Sequence, residues 1–233
     1  LLIILLFIMV LYFVFKTSKI SEQNRLWAGM ARETAHQIGT PLTSMMGWVT
    51  LLKEKKKKSE SIIEIEKDIE RLKIISERFS KIGSIPELKK DSINECISKT
   101  IIYLKKRSSE HINFKIKIPK KNLIIPFNYQ LLSWTIENLI KNSIDAIKGR
   151  GLISVELIEK INKIEINIED NGIGIKQEDI NKIFTPGFTN KKRGWGLGLS
   201  LAKRIIVDFH KGKISVKNTK VGKGTLFQIL LDK

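Results

Sequence analysis

Apolar residues recur at helical spacing over two stretches of the chain, residues 20–52 and 62–82. A polar segment, residues 55–61, separates the two stretches, and Gly83 and Pro86 end the second one. This spacing predicts two long amphipathic helices joined by a short turn as an antiparallel hairpin. Because neither helix can bury its apolar stripe against the other alone, we expect two such hairpins to pair into a dimeric four-helix bundle.

Residues 1–15 are apolar without a charge, a proline or a glycine, and Lys16 begins a polar segment. Such a helix is about 22 Å long, shorter than the roughly 30 Å hydrocarbon core of a bilayer. Since the chain opens with Leu1 and not Met, we expect this run to be the C-terminal part of a transmembrane helix. The alternatives are a buried core helix or the apolar region of a signal peptide. Lys16, Lys19 and Arg25 place its C-terminal end in the cytoplasm.

Beyond Pro86 the pattern changes to mixed α/β. Asn128 and Gly149 bracket a predicted helix over residues 129–148. Alternation with polar residues predicts strands, and a second helix precedes Gly212. The predicted strands are residues 153–158, 164–168, 213–217 and 225–231, and the second helix covers residues 199–210.

Lysine and arginine outnumber aspartate and glutamate by 42 to 24, which gives a net charge of +18. So large a surplus raises nucleic acid or anionic lipid as partners. The surplus is spread along the chain, with one tight run at residues 55–58, and no RNA-binding or zinc-finger signature accompanies it. We therefore expect no nucleic-acid partner. Cys96 is the only cysteine, which excludes an internal disulfide.

The first polar constellation lies in the middle of the first long helix. Pro41 removes a backbone hydrogen bond there, so its presence needs a reason. His36 and Thr40 are one turn apart on the same face, and Glu33 lies beside them. This face combines a nucleophile, a hydroxyl and a carboxylate. A lone histidine on a helix is, however, more often an ordinary surface or core residue.

The second constellation lies on the predicted helix over residues 129–148. Asn138 and Asn142 are one turn apart, and Asp145 continues the polar stripe. A solvated face is the plain interpretation. Because asparagine is a mediocre helix former, two of them on one stripe also suggest a use such as carbonyl ligation of Mg²⁺.

Two glycine patterns follow. Residues 170–174 (DNGIG) come directly after a predicted strand, and residues 194–199 (GWGLGL) open a predicted helix. Glycines before a helix let the backbone approach a phosphate group. The second pattern lacks the Gly-Lys-Ser or Gly-Lys-Thr of a Walker loop, and no strand leads into it as in a Rossmann fingerprint.

These four stretches, in this order, resemble the H, N, G1 and G2 boxes of the sensor histidine kinases of two-component systems. Residues 183–189 (IFTPGFT) resemble the F box, and residues 224–227 (GTLF) resemble the final Gly-Thr-x-Phe strand of that family. The resemblance implies an α + α/β architecture. Its parts are a transmembrane remnant over residues 1–16, a dimeric phosphotransfer hairpin over residues 17–84 and a GHKL-type ATP-binding α/β sandwich over residues 85–233.

The resemblance also implies ATP and Mg²⁺ as cofactors and assigns roles to individual residues. His36 is implied as the phosphoacceptor and Asn142 as the Mg²⁺ ligand, with Asn138 and Lys141 near the metal and the phosphates.

On the base side, the resemblance makes Asp170 the acceptor of the adenine amino group, assisted by Thr225, with Gly172 and Gly174 against the base. It makes residues 175–198 a mobile lid over the triphosphate. The other residues that it assigns to nucleotide binding are Asp145, Ile175, Phe184, Thr189, Lys192, Arg193, Gly194, Gly196, Leu197, Gly198 and Leu199.

One position favours a kinase over a hydrolase. ATP-hydrolysing relatives resembling gyrase carry a water-activating Glu one turn before the Mg²⁺-binding Asn, where this chain has Asn138. Glu137 is adjacent, but on a helix of about 3.6 residues per turn it points about 100° away. Transfer to a protein histidine is therefore favoured.

The H box departs from the family at one position. An acidic residue usually follows the phosphorylated histidine, whereas this chain has Gln37, which cannot take a proton. We expect slow autophosphorylation, or Glu33 acting in its place. Thr40 matches the family position that orients water for dephosphorylation of the partner.

The expected assembly is a homodimer at the inner membrane, held there by residues 1–16, which phosphorylates a cytoplasmic response regulator. A non-catalytic ATP-sensing scaffold remains an alternative. A basic nucleic-acid-binding ATPase is the third candidate, and it would show salt-dependent DNA binding.

Overall fold

A computed structural model gives the fold of the chain. It describes residues 2–53, 64–65, 68–69, 72, 86–191 and 196–233. The chain divides into two compact units. One comprises Leu1–Ile75 with Pro186–Leu197, and the other comprises Ser76–Thr185 with Gly198–Lys233.

In the first unit a single helix, α1, runs from Leu2 to Lys53. The polar residues 16–19 do not interrupt it, so the apolar run and the first amphipathic stretch form one helix and not two. Pro41 lies inside α1 and is buried. A helix retains an internal proline when the surrounding packing offsets the lost hydrogen bond.

The second helix of the predicted hairpin is described at five positions, residues 64, 65, 68, 69 and 72, and all five are helical. The predicted turn at residues 55–61 and the rest of that helix lie outside the described residues. The apolar side chains of residues 2–15 are exposed, from 51% for Val10 to 84% for Ile3.

Within the part of the chain that the structure describes, no helix has an apolar stretch long enough to cross a membrane.

The second unit alternates strands and helices. Its strands are β1 (Lys89–Ser92), β2 (Ile112–Lys117), β3 (Ile124–Phe127), β4 (Gly151–Glu159), β5 (Lys163–Asp170), β6 (Lys213–Lys220) and β7 (Gly224–Asp232). Its α-helices are α2 (Ile93–Lys105), α3 (Tyr129–Ala146) and α4 (Gly198–Arg204), the last continued by a π-helix over Ile205–Phe209.

Five strands form the main sheet in the order β2-β4-β5-β7-β6, and β1 pairs with β3 in a small second sheet. Strands β2 and β4 are parallel, whereas the other neighbours in the main sheet are antiparallel. Every second residue of β4 is buried, from Gly151 to Leu157, and α3 packs against β4, β5 and β7. This layer of sheet and helices confirms the predicted α/β sandwich.

Most predicted element boundaries in this unit are confirmed within one to three residues, but two details differ. Helix α3 ends at Ala146 and not at residue 148, because Ile147 turns to an extended conformation. The helix predicted over residues 199–210 changes to a π-helix after Arg204. The ring of His210, whose Nδ1 lies 2.8 Å from the Ile205 carbonyl oxygen, supports the wider turn. No helix or strand was predicted from the sequence for residues 86–127.

Candidate nucleotide-binding site

Asp170 and Thr225 form one corner of the candidate site. Asp170 is the last residue of β5 and lies directly opposite Thr225 on β7. Both residues are 4% exposed. The Asp170 carboxylate accepts hydrogen bonds from the Ser143 hydroxyl at 3.0 Å and from the Gly172 amide at 2.9 Å. Burial raises the pKa of Asp170 above its ordinary value, and these hydrogen bonds oppose the rise.

Thr219 on β6 supports the other side of this corner. Its Oγ1 lies 3.0 Å from the Oγ1 of Thr225, and it accepts a hydrogen bond from the Ile175 amide at 2.9 Å. It also donates to the Gly224 carbonyl at 3.2 Å. The hydroxyl of Thr225 is therefore positioned by contact with the hydroxyl of Thr219.

The glycines of the first pattern bring the loop after β5 close to its neighbours. A Cβ atom on Gly172 would lie 2.6 Å from the Ala146 carbonyl oxygen at the end of α3. Gly174 has φ 72°, and a Cβ there would overlap the backbone of Lys220. Both glycines thus have a packing role in the fold, in addition to the expected contact with a base.

The predicted polar stripe of α3 is present. Asn138 and Asn142 are half-buried, whereas Lys141 and Asp145 are exposed. The Asn138 side-chain amide lies 3.4 Å from the Gly198 carbonyl oxygen at the start of α4. Asn138 and the first residue of α4 therefore meet within one unit.

Glu137 is buried at 7% exposure, and its Oε1 forms an ion pair with Lys141 Nζ at 2.7 Å. Glu137 was predicted to point away from the Asn138 face, but its ion pair with Lys141 was not predicted. A buried carboxylate next to an exposed ammonium fixes the position of that ammonium.

The F-box residue Phe184 lies beside β7. Its ring packs edge-on against Phe227 with 6.5 Å between centroids, and Lys203 Nζ lies 5.9 Å from the ring centroid. Ile183, the preceding residue, is 6% exposed. These contacts make Phe184 part of the sandwich and place it next to the base of α4.

Part of the segment predicted as a lid, Pro186–Leu197, belongs to the unit that contains α1. Within this segment the Gly187 amide donates to the Gly196 carbonyl at 3.1 Å, and Gly196 has φ 66°. The Thr189 hydroxyl accepts from the Lys191 amide at 3.1 Å. Lys192, Arg193 and Gly194 lie outside the described residues. Leu197 is buried, and Gly198 and Leu199 open α4.

Of the H-box residues, all four lie within α1, in agreement with the predicted helix. Gln37 is half-buried and Thr40 is exposed. The side chains of Glu33 and His36 lie outside the described part of the chain.

The polar groups on α3 can be compared with the needs of Mg²⁺. Among the described residues, no three His, Cys, Asp or Glu side chains lie close enough together to hold a metal ion. Mg²⁺ keeps several waters and is often bound through one or two protein oxygens together with substrate phosphates. The half-buried amide of Asn142 fits that mode, since its carbonyl oxygen is a suitable hard ligand.

Comparisons with known proteins agree with this geometry. Residues 128–233 match the family model described as histidine kinase-, DNA gyrase B- and HSP90-like ATPase. The chain is 29% identical over 242 residues to sporulation kinase D of Bacillus subtilis, covering 97% of this chain and 47% of that protein. It is 29% identical over 224 residues to the signal transduction histidine-protein kinase AtoS of Escherichia coli, covering 93% of this chain and 36% of AtoS.

The catalytic domain of the histidine kinase ThkA has a similar structure. Its TM-score is 0.59 at 28% identity, over 64% of this chain and 97% of that domain. The chain is a relative of the sensor histidine kinases. A longer ThkA structure, in complex with the response regulator protein TrrA, shares the fold at 23% identity and a TM-score of 0.58, over 94% of this chain and 66% of that one. The chain spans about half or less of the length of the two curated relatives.

Four polar residues have contacts that the sequence did not predict: Glu137, Ser143, His210 and Thr219. Ser143 carried a usable signal. It falls at helical spacing with Ile136, Leu139 and Ile140 on the apolar stripe of α3, and a buried hydroxyl needs a hydrogen-bond partner. The partner itself could not be deduced, because it comes from a strand 27 residues away.

Proposed function

We propose that this chain is the membrane-proximal and cytoplasmic part of a sensor histidine kinase that transfers the γ-phosphoryl group of ATP to His36 and then to an aspartate of a response regulator. The observation that carries the proposal is the buried Asp170 carboxylate opposite Thr225, in the same unit as Asn138 and Asn142. The similarity of the chain to histidine kinases supports it.

Base recognition in this proposal falls to Asp170. An ionised carboxylate only accepts hydrogen bonds, so its remaining lone pairs favour a donor such as the adenine amino group. The Ser143 and Gly172 bonds fix the orientation of the carboxylate before a base arrives. A preorganised acceptor loses little conformational freedom on binding.

The phosphate side of the site lies on α3. The Asn142 amide oxygen would ligate Mg²⁺, and Lys141, held by Glu137 at 2.7 Å, would face the phosphate oxygens. When bound, Mg²⁺ neutralises charge on the phosphate groups. Asn138 and Asn142 then have positioning roles, as phosphoryl transfer depends mainly on geometry and charge.

In the transfer step, an imidazole nitrogen of His36 attacks the γ-phosphorus. A nitrogen–phosphorus bond forms, the bond from the γ-phosphorus to the bridging oxygen breaks, and ADP leaves. Gln37 can orient the imidazole by a hydrogen bond but cannot accept its proton. We assign that proton to Glu33. Thr40, exposed on α1, supports an additional phosphatase activity toward the response regulator.

The proposed partners follow from both units. Pairing of two helical hairpins would give a homodimer, and the exposed apolar side chains of residues 2–15 support attachment to the inner membrane through residues 1–16. A response regulator is the proposed acceptor, in line with the complex of the related ThkA with TrrA.

The test is incubation of the full chain with γ-labelled ATP and Mg²⁺. We expect acid-labile, base-stable label that His36→Gln and Asn142→Ala both abolish and that His111→Gln, a change at an exposed residue of the second unit, leaves intact. Glu33→Gln should slow labelling, and an unchanged rate would rule out Glu33 as the base.

Two alternatives predict different outcomes. A non-catalytic scaffold would bind ATP without becoming labelled. A nucleic-acid-binding ATPase would retain DNA on a filter in a salt-dependent manner and release inorganic phosphate without labelling His36. Addition of a response regulator then tests Thr40: Thr40→Ala should slow loss of the phosphoryl group from the regulator while labelling of His36 continues.

A further inference from the structure

The hydrogen bonds around Asp170 can be assigned a direction. An ionised carboxylate has no proton, so the Ser143 hydroxyl is the donor in its 3.0 Å contact with Asp170 Oδ2. Gly172 donates its amide to Oδ1 at 2.9 Å, and the backbone of Thr225 is a further donor. These donors occupy most of the roughly four lone-pair positions of the carboxylate. What remains toward the site is an acceptor in a fixed direction.

The hydroxyl of Thr225 can be treated in the same way. Thr219 has one hydroxyl proton, which it donates to the Gly224 carbonyl, and it accepts from the Ile175 amide. When Thr219 gives its proton to the Gly224 carbonyl, Thr225 is the donor in the 3.0 Å contact between the two hydroxyl groups. The only hydroxyl proton of Thr225 is thereby committed, so its oxygen also presents lone pairs toward the site.

We propose that Ser143 and Thr219 are positioning residues that keep Asp170 and Thr225 as hydrogen-bond acceptors and so select a 6-aminopurine nucleotide over a 6-oxopurine nucleotide. This inference rests on the proposed function, since it requires a nucleotide base at this corner. Ser143 and Thr219 do not need to touch the base. They act by fixing the protons and the orientation of the two residues that do.

The chemistry of the two bases gives the expected selectivity. A 6-amino group donates hydrogen bonds and meets two acceptors. A 6-oxo group is itself an acceptor, so its oxygen and the buried Asp170 carboxylate would repel each other without a proton between them. Sites that pair a polar group in one ligand and leave it unpaired in another discriminate strongly, so on the order of 100-fold or more is expected.

The experiment measures the dissociation constants of ATP, ITP and purine riboside triphosphate for the full chain by calorimetry with Mg²⁺ present. ITP has a 6-oxo group, and purine riboside triphosphate has hydrogen at that position. Ser143→Ala and Thr219→Val should each weaken ATP binding and reduce the ratio of ITP to ATP dissociation constants by about 10-fold. Thr219→Ser, which keeps the hydroxyl, should restore the ratio.

Ser133→Ala is the matched control. Ser133 lies on the same helix, ten residues or about 15 Å before Ser143. Its change to alanine also removes a side-chain hydrogen bond, to Thr100 at 2.8 Å. It should leave the nucleotide ratio unchanged. Ser143→Cys keeps a weak donor in nearly the same volume and should give an intermediate ratio, which preserves the test if the alanine variant fails to fold.

The possible outcomes distinguish failure of the proposed function from failure of the proposed roles of Ser143 and Thr219. If the parent chain binds neither ATP nor ITP, the proposed function itself fails. If it binds ATP but Ser143→Ala and Thr219→Val keep the parental ratio, or if the parent binds ITP as tightly as ATP, nucleotide binding stands and the roles of Ser143 and Thr219 are overturned.

Discussion

The Nε2 atom of His210 accepts a hydrogen bond from the backbone amide of Asn128, with 3.0 Å between the two nitrogens. On the other side of the ring, Nδ1 lies 2.8 Å from the Ile205 carbonyl oxygen and donates to it. Asn128 is also the N-cap of α3, where its side chain accepts from the Leu131 amide. One neutral imidazole thus connects the end of the π-helix to the start of the helix that carries the N box.

Acid should weaken this connection. Burial lowers the pKa of His210, so the folded chain favours the neutral ring. The stabilisation is therefore fully present above the unfolded-state pKa of about 6.5 and is lost as the pH falls toward the lower folded-state value. Between about pH 8 and pH 5 we expect His210 to account for a loss of at most about 2 kcal/mol in the free energy of unfolding, measured by urea denaturation.

His210→Ala should be less stable than the parent at the upper end of this range, and its stability should depend less on pH. His111→Ala, a change of an exposed histidine in the same unit, is the matched control. If the parent and His210→Ala lose stability in parallel on acidification, the imidazole does not carry the effect.

Some features of α3 could be predicted from the sequence, and others could not. Its extent, its N-cap and its polar stripe follow from local rules, because helix periodicity and capping depend on residues within a few positions of one another. The hydrogen bonds of Ser143 to Asp170 and of His210 to Asn128 join residues 27 and 82 positions apart. Such pairs depend on the register of the sheet and the packing of the helices, which no local pattern contains.

Two glycines that look alike in the sequence should behave differently on substitution. Gly172 has the Ala146 carbonyl oxygen within 2.6 Å of a hypothetical Cβ, whereas the nearest atom to a Cβ on Gly198 is 3.8 Å away, in the Asn138 side chain. Gly172→Ala should therefore destabilise the chain by about 1–3 kcal/mol through overpacking. Gly198→Ala should fold with the stability of the parent or gain up to about 1 kcal/mol.

Nucleotide affinity should show that Gly172 and Gly198 are glycines for different reasons. Because the fold tolerates a methyl group at Gly198, the proposed reason for glycine there is close approach of a phosphate group to the backbone. Calorimetric titration with ATP should then show weaker binding for Gly198→Ala despite a normal thermal transition. Parental affinity in that variant would assign Gly198 no role in the site.

The change Asp170→Asn should separate folding from base recognition. An asparagine keeps an acceptor for the Gly172 amide and can donate to Ser143, so these two of its three supporting hydrogen bonds persist. Since burial raises the pKa of Asp170, removal of the charge should leave the folded state at neutral pH as stable as the parent or more so.

ATP affinity of Asp170→Asn should nevertheless fall by about 10- to 100-fold, because a charged acceptor facing the amino group is lost. Calorimetry with ATP measures the affinity, and urea denaturation without nucleotide measures the stability. Glu169→Gln, which removes the same charge from the preceding, exposed residue of β5, is the matched control. Unchanged ATP affinity in Asp170→Asn would remove the base-recognition role of Asp170.

Local sequence pattern did not predict the secondary structure correctly in two regions. Residues 86–127 contain two short strands of four residues, β1 and β3, which pair only with each other. Strands this short carry too few alternations to distinguish them from loop. In α1, the charged residues near Lys16 suggested a boundary, but helix continues through them, since lysine is a good helix former and offers no stop signal.

Cys96 provides a direct reporter of nucleotide-linked stability in the second unit. It is the only cysteine of the chain, is fully buried on α2, and has a pKa raised to about 12, first by burial and then by Asp91 and Glu95. A thiol with so high a pKa is almost entirely protonated at neutral pH and reacts slowly. Labelling by a thiol reagent should therefore require opening of the unit.

Bound nucleotide should slow that labelling. A ligand that binds only the folded state at about 100 times its dissociation constant stabilises it by about 2.7 kcal/mol, which lowers the open population about 100-fold. We expect Mg·ATP to reduce the labelling rate of the parent chain accordingly and to have little effect on Asp170→Asn. Labelling in urea gives the rate for the open chain. If the native chain reacted as fast as the chain in urea, Cys96 would not be buried, and if Mg·ATP protected both proteins equally, Asp170 would not contribute to nucleotide binding.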